Sequence, residues 1–394
     1  MKCPAMPQIL LLREVLLYTR EVTAFTLFMC LFEGCVLVVS VIEQLAQWHN
    51  STVKAAVERL CNYIPEKLQG FCYVLAEVYG PHIAELIDRE MNADVVCHSL
   101  KLCKQDPGQP LCHLYPPPKV GLSTAIRKAK RILRTSKVLT LRGYHWRGRD
   151  CDDKNTTVYP GRRPDNWDVK SDSNCNGIWG VDPKDGIPYE EKFCKGASSR
   201  NLLSLIKSLA RNQLLDNPAI VIYATIGNDV CNGNQDTLAH MTTPKEMFSN
   251  VMQALRYLDS QLPNSSHVIL TGLVDGRFLW DNLHNRYHPL GQLNRDVTYS
   301  QLYSFLNCLQ VSPCSGWLTA NETLRNLTSE RALQLSSVLK DITTTQKFTN
   351  FDVFYMDFPL KQTAEEWHKM GGEPWQLIEP VDGFHPSQVK SLKR

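Results

Sequence analysis

Two hydrophobic patterns follow one another along the chain. Between residues 35 and 103, apolar residues recur three and four positions apart, which is the spacing of one face of an α-helix. Three such sets occur, namely Val38, Val41, Ile42 and Leu45; Val53, Ala56, Val57 and Leu60; and Ile83, Leu86, Ile87 and Met91. The pattern predicts a small helical unit that buries little core, so its cysteines must stabilise it by constraining the unfolded chain.

After residue 219, apolar runs alternate with helical stretches. Strands are predicted at Ala219–Ile226, Val268–Leu273 and Phe351–Phe358, and helices at Pro244–Leu262 and Thr323–Ile342. The first run is continuously apolar, as in a buried parallel strand. The alternation favours an open parallel α/β sheet whose site lies at the carboxyl ends of the strands.

Composition restricts the class of protein. The 394 residues suffice for two or three domains, and an apolar content of 43% is typical of a globular protein. The net charge of +3 does not indicate a nucleic-acid partner, because the basic residues are dispersed apart from one cluster.

Cysteines and glycosylation sequons indicate the compartment. The fourteen cysteines do not recur at zinc-site spacing, and five Asn-x-Ser/Thr sequons are present. The sequons are at Asn50, Asn155, Asn264, Asn321 and Asn326. Together they predict a secreted protein or one of the lysosomal or endocytic lumen.

Residues 1–34 are interpreted as a leader. Its apolar run, Val22–Phe32, is long enough for the core of a signal peptide and too short to span a bilayer. Charged residues precede the run, and no small-residue cleavage site is evident. The leader is therefore either a signal segment or an alternative start that replaces one.

Residues 113–142 are expected to link two domains. Prolines at positions 116–118 break regular structure, and six cations then crowd a short amphipathic stretch. The cations are Arg127, Lys128, Lys130, Arg131, Arg134 and Lys137. This stretch either attracts anionic head groups or is a solvated, protease-accessible linker, and the second interpretation is favoured.

Oxygen-bearing side chains alternate between this linker and the predicted sheet. Asp172, Asn174 and Asn176 occupy alternate positions and are followed by Gly177, which is how a loop wraps Ca²⁺. The full candidate set is Asp150, Asp152, Asp153, Asp168, Asp172, Asn174 and Asn176. Cys151 and Cys175 flank the two halves and are candidates to tie them together. The other interpretation is a set of Asx turns without an ion.

Candidate catalytic groups occur at two places. Asn228 follows the first predicted strand directly, so its amide can donate to a developing oxyanion at the sheet edge. Near the C-terminus, Asp382 and His385 are three residues apart, and the carboxylate can accept from the imidazole and orient it as a general base. Each motif is also compatible with an ordinary capped turn.

The cysteine spacing of the helical unit resembles that of the saposin-B module, a disulfide-bonded leaf of four or five helices. The resemblance implies the pairs Cys35–Cys97 and Cys61–Cys72, with Cys103 in an outermost pair for which this chain offers Cys30. It also implies an apolar inner face that opens onto lipid, whereas a bundle that never opens is the alternative. Cys112 lies just past this unit, and we expect it to pair with Cys308 or Cys314.

The order of the two catalytic motifs resembles blocks III and V of the Gly-Asp-Ser-(Leu) hydrolases, also called SGNH hydrolases. The stretches GIWGVDPKDGIPYE, AIVIYATIGNDVC, FLWDNLHNRYHPLGQL and PWQLIEPVDGFHP are similar to the acyloxyacyl hydrolase family. Membership implies calcium binding and removal of secondary fatty acyl chains from lipid A of bacterial lipopolysaccharide. Gly196 is the match to the family's second-block oxyanion donor.

These features predict an α plus α/β protein: a saposin-like, disulfide-stapled helical module, then an SGNH-hydrolase-like domain with an open parallel sheet. The expected organisation is a leader at 1–34, a saposin-B-like lipid-binding module at 35–112, a basic linker at 113–142, a calcium-binding segment at 143–180 and the hydrolase-like domain at 181–394. Expected partners are lipopolysaccharide or lipid A, phospholipid, and a membrane or micelle surface that the saposin-like module contacts.

One block of the resemblance is missing. The family carries its nucleophilic serine in a Gly-Asp-Ser block on the first strand of the sheet, and no Gly-Asp-Ser occurs in this sequence. We therefore expect the first strand and the serine to be absent and the chain to be inactive as an esterase. Ser198 and Ser199 are the nearest substitutes, but serines at such a place more often cap a helix. Either segments have been skipped in this sequence, or the protein has lost catalysis and acts as a lipopolysaccharide- or phospholipid-binding protein.

Overall fold

The computed structural model describes residues 35–63, 66–102, 111–135, 169–171, 180–181, 198–208, 212–224, 227–231, 237–309 and 311–387. The chain divides into two compact units. The N-terminal unit comprises residues 1–193 with 287–305, and the C-terminal unit comprises residues 194–286 with 306–394. Residues 287–305 thus group with the N-terminal unit, although they lie in the sequence range expected to form the hydrolase-like domain.

The N-terminal unit is helical. Its helices are α1 (Cys35–Trp48), α2 (Val53–Tyr63), α3 (Glu66–Ile87), α4 (Ala93–Ser99) and α5 (Leu122–Thr135). Helix α1 packs against α2 and α4, and α2 packs against α3. The periodicity in α2 is confirmed, because all four of its apolar positions, from Val53 to Leu60, are buried. None of the helices among the described residues is both long and apolar enough to cross a bilayer.

A short segment without helix or strand, residues 111–115, is hydrogen-bonded to two of these helices. The carboxylate of Asp94 in α4 accepts hydrogen bonds from the backbone N–H of Leu114 at 2.9 Å and of Tyr115 at 2.8 Å. The Tyr115 hydroxyl donates to Ser40 of α1 at 2.7 Å. Since Leu114 and Tyr115 are both buried, this segment forms part of the core of the unit.

The C-terminal unit contains a parallel sheet. Its elements are α6 (Leu202–Ser208), β1 (Ile220–Tyr223), α7 (Gly227–Val230), α8 (Thr237–His240), α9 (Pro244–Asp259), β2 (Ser266–Thr271), α10 (Arg277–Leu283), α11 (Tyr299–Leu309, which begins in the N-terminal unit), α12 (Glu322–Thr345), β3 (Phe351–Met356) and α13 (Leu360–Lys369). The strands lie in the order β1-β2-β3. Parallel neighbours need crossover connections, and α9 and α12 provide helices for them. The three strands and two helices predicted from the sequence are all present.

The two faces of the sheet differ in burial. One face packs with α9 and α12 into a single hydrophobic core that includes Val268, Leu270 and Phe351. On the opposite face, Ile222 is 60% exposed and Phe354 is 50% exposed. The expectation that the first strand is buried was therefore wrong for half of its residues. Helices normally cover both faces of a parallel sheet, and no strand precedes β1 in the described part of the chain.

Candidate active site

The predicted contact between Asp382 and His385 is present. The Nδ1 atom of His385 lies 2.7 Å from Oδ2 of Asp382, while Oδ1 of Asp382 accepts from the backbone N–H of Phe384 and of His385. The carboxylate thus fixes both the loop and the ring. Because Nδ1 is engaged, Nε2 is the ring nitrogen left to exchange a proton with a substrate or nucleophile.

Electrostatics support proton transfer by this pair. The hydrogen bond to Asp382 raises the pKa of His385, against desolvation, which lowers it. Burial raises the pKa of Asp382, but the hydrogen bonds from His385 and from the Phe384 backbone outweigh burial and hold this pKa below its ordinary value. Asp382 therefore stays ionised beside an imidazole that binds a proton readily.

The loop that carries Asp382 and His385 is held by contacts on both sides of the pair. Phe384 packs against the hydrophobic core of the sheet, and Pro386 forms an antiparallel bridge with Ile378. The backbone N–H of Glu379 also donates to the carbonyl of His385 at 2.8 Å. These contacts hold the His385 imidazole in place without engaging its Nε2 atom.

The second motif forms the short helix α7 after β1. Asn228 lies on this turn and is exposed, so its amide is accessible to a bound molecule. Its neighbour Asp229 points inward and is only 1% exposed. Asn228 is therefore accessible from solvent, while the neighbouring Asp229 holds the turn in place.

Asp229 is a buried hub that the sequence did not reveal. It accepts hydrogen bonds from the Ser199 backbone N–H at 3.0 Å, from the Ser199 hydroxyl at 2.6 Å and from Thr242 at 2.7 Å. Burial raises the pKa of Asp229, and the hydrogen bonds from Ser199 and Thr242 offset this only in part. The sequence did carry one signal for this role: Asp229 closely follows the first predicted strand, and a carboxylate buried at that place needs hydrogen-bond donors.

Both candidate substitute serines are engaged in local structure. Ser199 is 1% exposed, and its hydroxyl also accepts from the Asn250 amide. Ser198 is the N-cap of the 3-10 helix Ser199–Asn201 and contacts the Asn201 side chain. Ser198 therefore occupies the N-cap position, where its hydroxyl contacts the Asn201 side chain at 3.4 Å, while Ser199 is a structural partner of Asp229. The oxyanion candidate Gly196 lies outside the described residues.

Disulfides link elements within each unit. The N-terminal unit contains Cys35–Cys97 and Cys61–Cys72, the two pairs that the saposin resemblance implies. The C-terminal unit contains Cys231–Cys314. The option of pairing Cys112 with Cys314 was therefore wrong, because Cys314 is buried in the core beside α7 and bonds to Cys231 there.

Other cysteine predictions stay open. Cys112 and Cys308 are both disulfide-bonded, and their pairing with each other remains a prediction. The candidates Cys30, Cys103, Cys151 and Cys175 lie outside the described residues.

The structure describes four of the five sequon asparagines and none of the predicted calcium ligands. All seven calcium candidates, from Asp150 to Asn176, lie outside the described residues, as does Asn155. The remaining sequon asparagines are exposed, as glycan attachment requires. They are Asn50, Asn264, Asn321 and Asn326.

Comparison with family models assigns both halves of the chain to known domains. Residues 30–149 match the saposin-like domain, and residues 160–391 match the GDSL-like lipase/acylhydrolase domain. The fold and site therefore define an ester hydrolase that carries a saposin-like module, a combination that fits a lipid-related substrate.

Whole-length relatives narrow this class. The chain is 49% identical to the acyloxyacyl hydrolase of Homo sapiens and 49% identical to that of Oryctolagus cuniculus. Identity to the acyloxyacyl hydrolase of Mus musculus is 47%, and each alignment covers 91% of this chain and 86% of the relative. The chain belongs to the acyloxyacyl hydrolase family.

The alignments also show where this chain is shorter. The match to the human relative extends over 495 residues, whereas 91% of this 394-residue chain is about 359 residues. About 136 aligned positions of the relative therefore have no counterpart here. A gap of this size agrees with the missing Gly-Asp-Ser block.

Proposed function

We propose that this protein recognises acylated lipids of the lipopolysaccharide class through a lipid-binding saposin-like module. This module is joined to an esterase framework of the acyloxyacyl hydrolase type that lacks its nucleophile. The name of its relatives supports acyloxyacyl esters as the substrate class, and the Asp382–His385 pair suits ester hydrolysis. Lipid A, as the molecule that carries these acyl chains, is what the family resemblance of the sequence implies. The observation that carries the proposal is the Nδ1–Oδ2 contact of 2.7 Å within an acylhydrolase domain.

In a complete site, the residues would share the reaction as follows. His385 would take the proton of a serine hydroxyl through Nε2 and later return it to the leaving alcohol. Asp382 would orient the imidazole and stabilise its charged form. The amide of Asn228 would donate to the tetrahedral oxyanion, with the backbone N–H of Gly196 as a second donor. In this chain the groups that move protons are present and the acyl acceptor is absent.

We therefore expect the chain as printed to hydrolyse no acyl ester at a family-like rate. The test compares it with a version in which the Gly-Asp-Ser block is restored, and measures fatty acid released from lipopolysaccharide. Release only by the restored chain, lost on His385→Gln, supports the assignment. Release by the printed chain that Ser198→Ala or Ser199→Ala abolishes would show that another serine serves as the nucleophile.

A non-catalytic binding role is the second candidate, and the burial of Ser199 favours it for this chain. Lipopolysaccharide and phospholipid are then ligands rather than substrates. Binding of fluorescent lipopolysaccharide by the printed chain, with no fatty acid release, is the result that distinguishes this role. Failure of both the printed and the restored chain to bind would contradict both candidates.

Calcium is proposed as a ligand of the Asp150–Asn176 segment. The donor set consists entirely of carboxylate and carboxamide oxygens, which suit a hard cation. Binding to the folded state should raise the melting temperature in calcium relative to chelator. If Asp172→Ala keeps the full calcium-dependent shift while the printed chain shows one, the assignment is wrong.

The compartment is proposed to be extracellular or the lumen of an endocytic vesicle or lysosome. Eight cysteines of the described residues are disulfide-bonded, which requires an oxidising route. Glycosidase-sensitive mobility of the secreted chain, reduced by substituting Asn264 or Asn321, would support passage through the secretory pathway. Recovery of only unglycosylated chain from the cytosol would contradict it.

A further inference from the structure

Helix α5 has a basic face whose orientation the N-terminal unit fixes. Its apolar residues Ala125, Ile126 and Ala129 are buried, and the helix packs against α4. Arg127 and Lys128 are exposed to solvent. Between residues 122 and 135 the basic stretch is therefore an amphipathic helix packed on the unit, so the solvated, protease-accessible linker favoured from the sequence was wrong for these residues.

Charge is segregated around this helix. Residues 107–149 contain ten lysines and arginines and no aspartate or glutamate, although the whole chain carries only +3. The rest of the chain is therefore net negative. Within the described residues, neither Arg127 nor Lys128 forms an ion pair, and the hydrogen bond from Arg127 goes to the neutral hydroxyl of Thr124. Among the described residues, therefore, no acidic side chain neutralises these two charges.

The basic face is held to the saposin-like module by several contacts. Helix α4, against which α5 packs, is joined to α1 by the disulfide Cys35–Cys97. The Tyr115 hydroxyl, just before α5 in sequence, donates to Ser40 of α1. Just before the helix, Lys119 is exposed and Val120 is 62% exposed, so an accessible apolar group is next in sequence to one of the cations.

We propose that the exposed basic face of α5, together with the exposed Lys119 and Val120 that precede the helix, docks onto the head groups of an anionic lipid surface. The inference rests on the proposed lipid-directed function. The helix lies within residues 30–149, which match the saposin-like domain. Charge complementarity supplies the attraction, and the exposed apolar side chain suits the boundary between head groups and acyl chains.

The test uses the full chain and two kinds of vesicle, one of phosphatidylcholine and one of equal parts phosphatidylcholine and phosphatidylglycerol. We expect tighter binding to the anionic vesicles, weakened by salt. The variant Arg127→Glu/Lys128→Glu should lose roughly twentyfold or more of this binding, because each cation near an anionic surface contributes roughly fivefold. The control Lys340→Glu/Lys347→Glu has the same net charge on exposed positions of the C-terminal unit and should retain binding.

Each outcome separates the inference from the proposed function. Loss of anionic binding in the α5 variant alone, with neutral-vesicle binding and circular dichroism unchanged, supports the inference. Equal loss in both variants, or no preference of the printed chain for anionic vesicles, overturns it and leaves the lipid-directed function standing. Equally tight binding to heparin or duplex DNA would show a general polyanion site and also overturn it. If neither vesicle is bound, both proposals fail.

Discussion

The hydroxyl of Ser199 lies 2.6 Å from Oδ1 of Asp229 and donates a hydrogen bond to it. The same serine donates its backbone N–H to that carboxylate, and both residues are 1% exposed. Asp229 thereby joins the start of the helical segment after residue 198 to the turn that presents Asn228. One of the two serines nearest to the missing nucleophile block is thus used to position a candidate oxyanion donor.

Removing this hydroxyl should destabilise the C-terminal unit. Ser199→Ala leaves a buried carboxylate with one donor fewer, which costs about 1–3 kcal/mol. Ser198→Ala is the matched control, because its hydroxyl contact to Asn201 is 3.4 Å long and only partly buried. Urea unfolding of both variants checks the difference. A Ser199→Ala variant as stable as the control would mean that water replaces the hydroxyl.

Sequence periodicity predicted the elements that pack around one core. The alternation after residue 219 located all three strands, because a parallel strand must bury at least one apolar face. Likewise, the local spacing of Asp382 and His385 sufficed to predict their contact, since three residues on one turn cannot lie far apart. Contacts of this kind depend on few residues and on short chain segments.

Contacts between distant segments could not be predicted in the same way. The hub at Asp229 joins residues 30 positions apart, and Cys231 and Cys314 are 83 positions apart. Nothing in the local sequence marks which of several cysteines or hydroxyls the fold brings together. The exposed sheet face has a related cause, because apolar alternation in β1 cannot show whether a covering layer exists.

This exposed face should promote self-association. Ile222, Ile269 and Phe354 lie side by side in register across the three strands, and two of them are at least half exposed. Apolar patches of this kind favour aggregation. Ile222→Thr/Phe354→Thr should therefore raise the monomer fraction with a stability change within about 0.5 kcal/mol, because threonine keeps strand propensity. Light scattering after size exclusion measures the monomer fraction.

Val268→Thr provides the comparison on the buried face. Val268 is 1% exposed, so the hydroxyl that replaces one of its methyl groups is buried away from water. Burying this hydroxyl lowers the free energy of unfolding by about 1–3 kcal/mol. This variant should unfold more easily without gaining monomer. If the double variant on the exposed face loses as much stability as Val268→Thr, that face is covered in solution.

The raised pKa of His385 gives a stability signature of definite sign. A folded-state pKa above the unfolded value, about 6.5 for histidine, stabilises the fold below that pH. The contribution is lost as pH rises through the folded-state pKa. His385→Gln should therefore be less stable than the printed chain in mild acid and nearly equal to it in alkali. NMR titration should also show a lower His385 pKa in Asp382→Asn.

A half-buried acidic pair in the N-terminal unit should show the opposite pH dependence to an ordinary paired carboxylate. Burial raises the pKa of Glu43 in α1, and repulsion from Asp296 raises it further. Burial also raises the pKa of Asp296, whose Oδ1 is buried with no hydrogen-bond partner among the described residues. Since the folded state holds these protons more tightly than the unfolded chain, the pair stabilises the fold most below the ordinary carboxyl pKa of about 4. That contribution declines as pH rises through the folded-state values.

Replacing one of these carboxylates should therefore stabilise the protein at neutral pH. Asp296→Asn removes the repulsion on Glu43, so its melting temperature should exceed that of the printed chain near neutrality and approach it below the carboxyl pKa. Asp275→Asn is the control of opposite sign. Burial raises the pKa of Asp275, but hydrogen bonds from Arg277 and Ser329 outweigh it and lower the pKa, so this variant should lose stability at neutral pH. Melting curves of both variants across the acid range measure the two trends. Parallel curves for Asp296→Asn and the printed chain at every pH would contradict the assignment of a strained acidic pair.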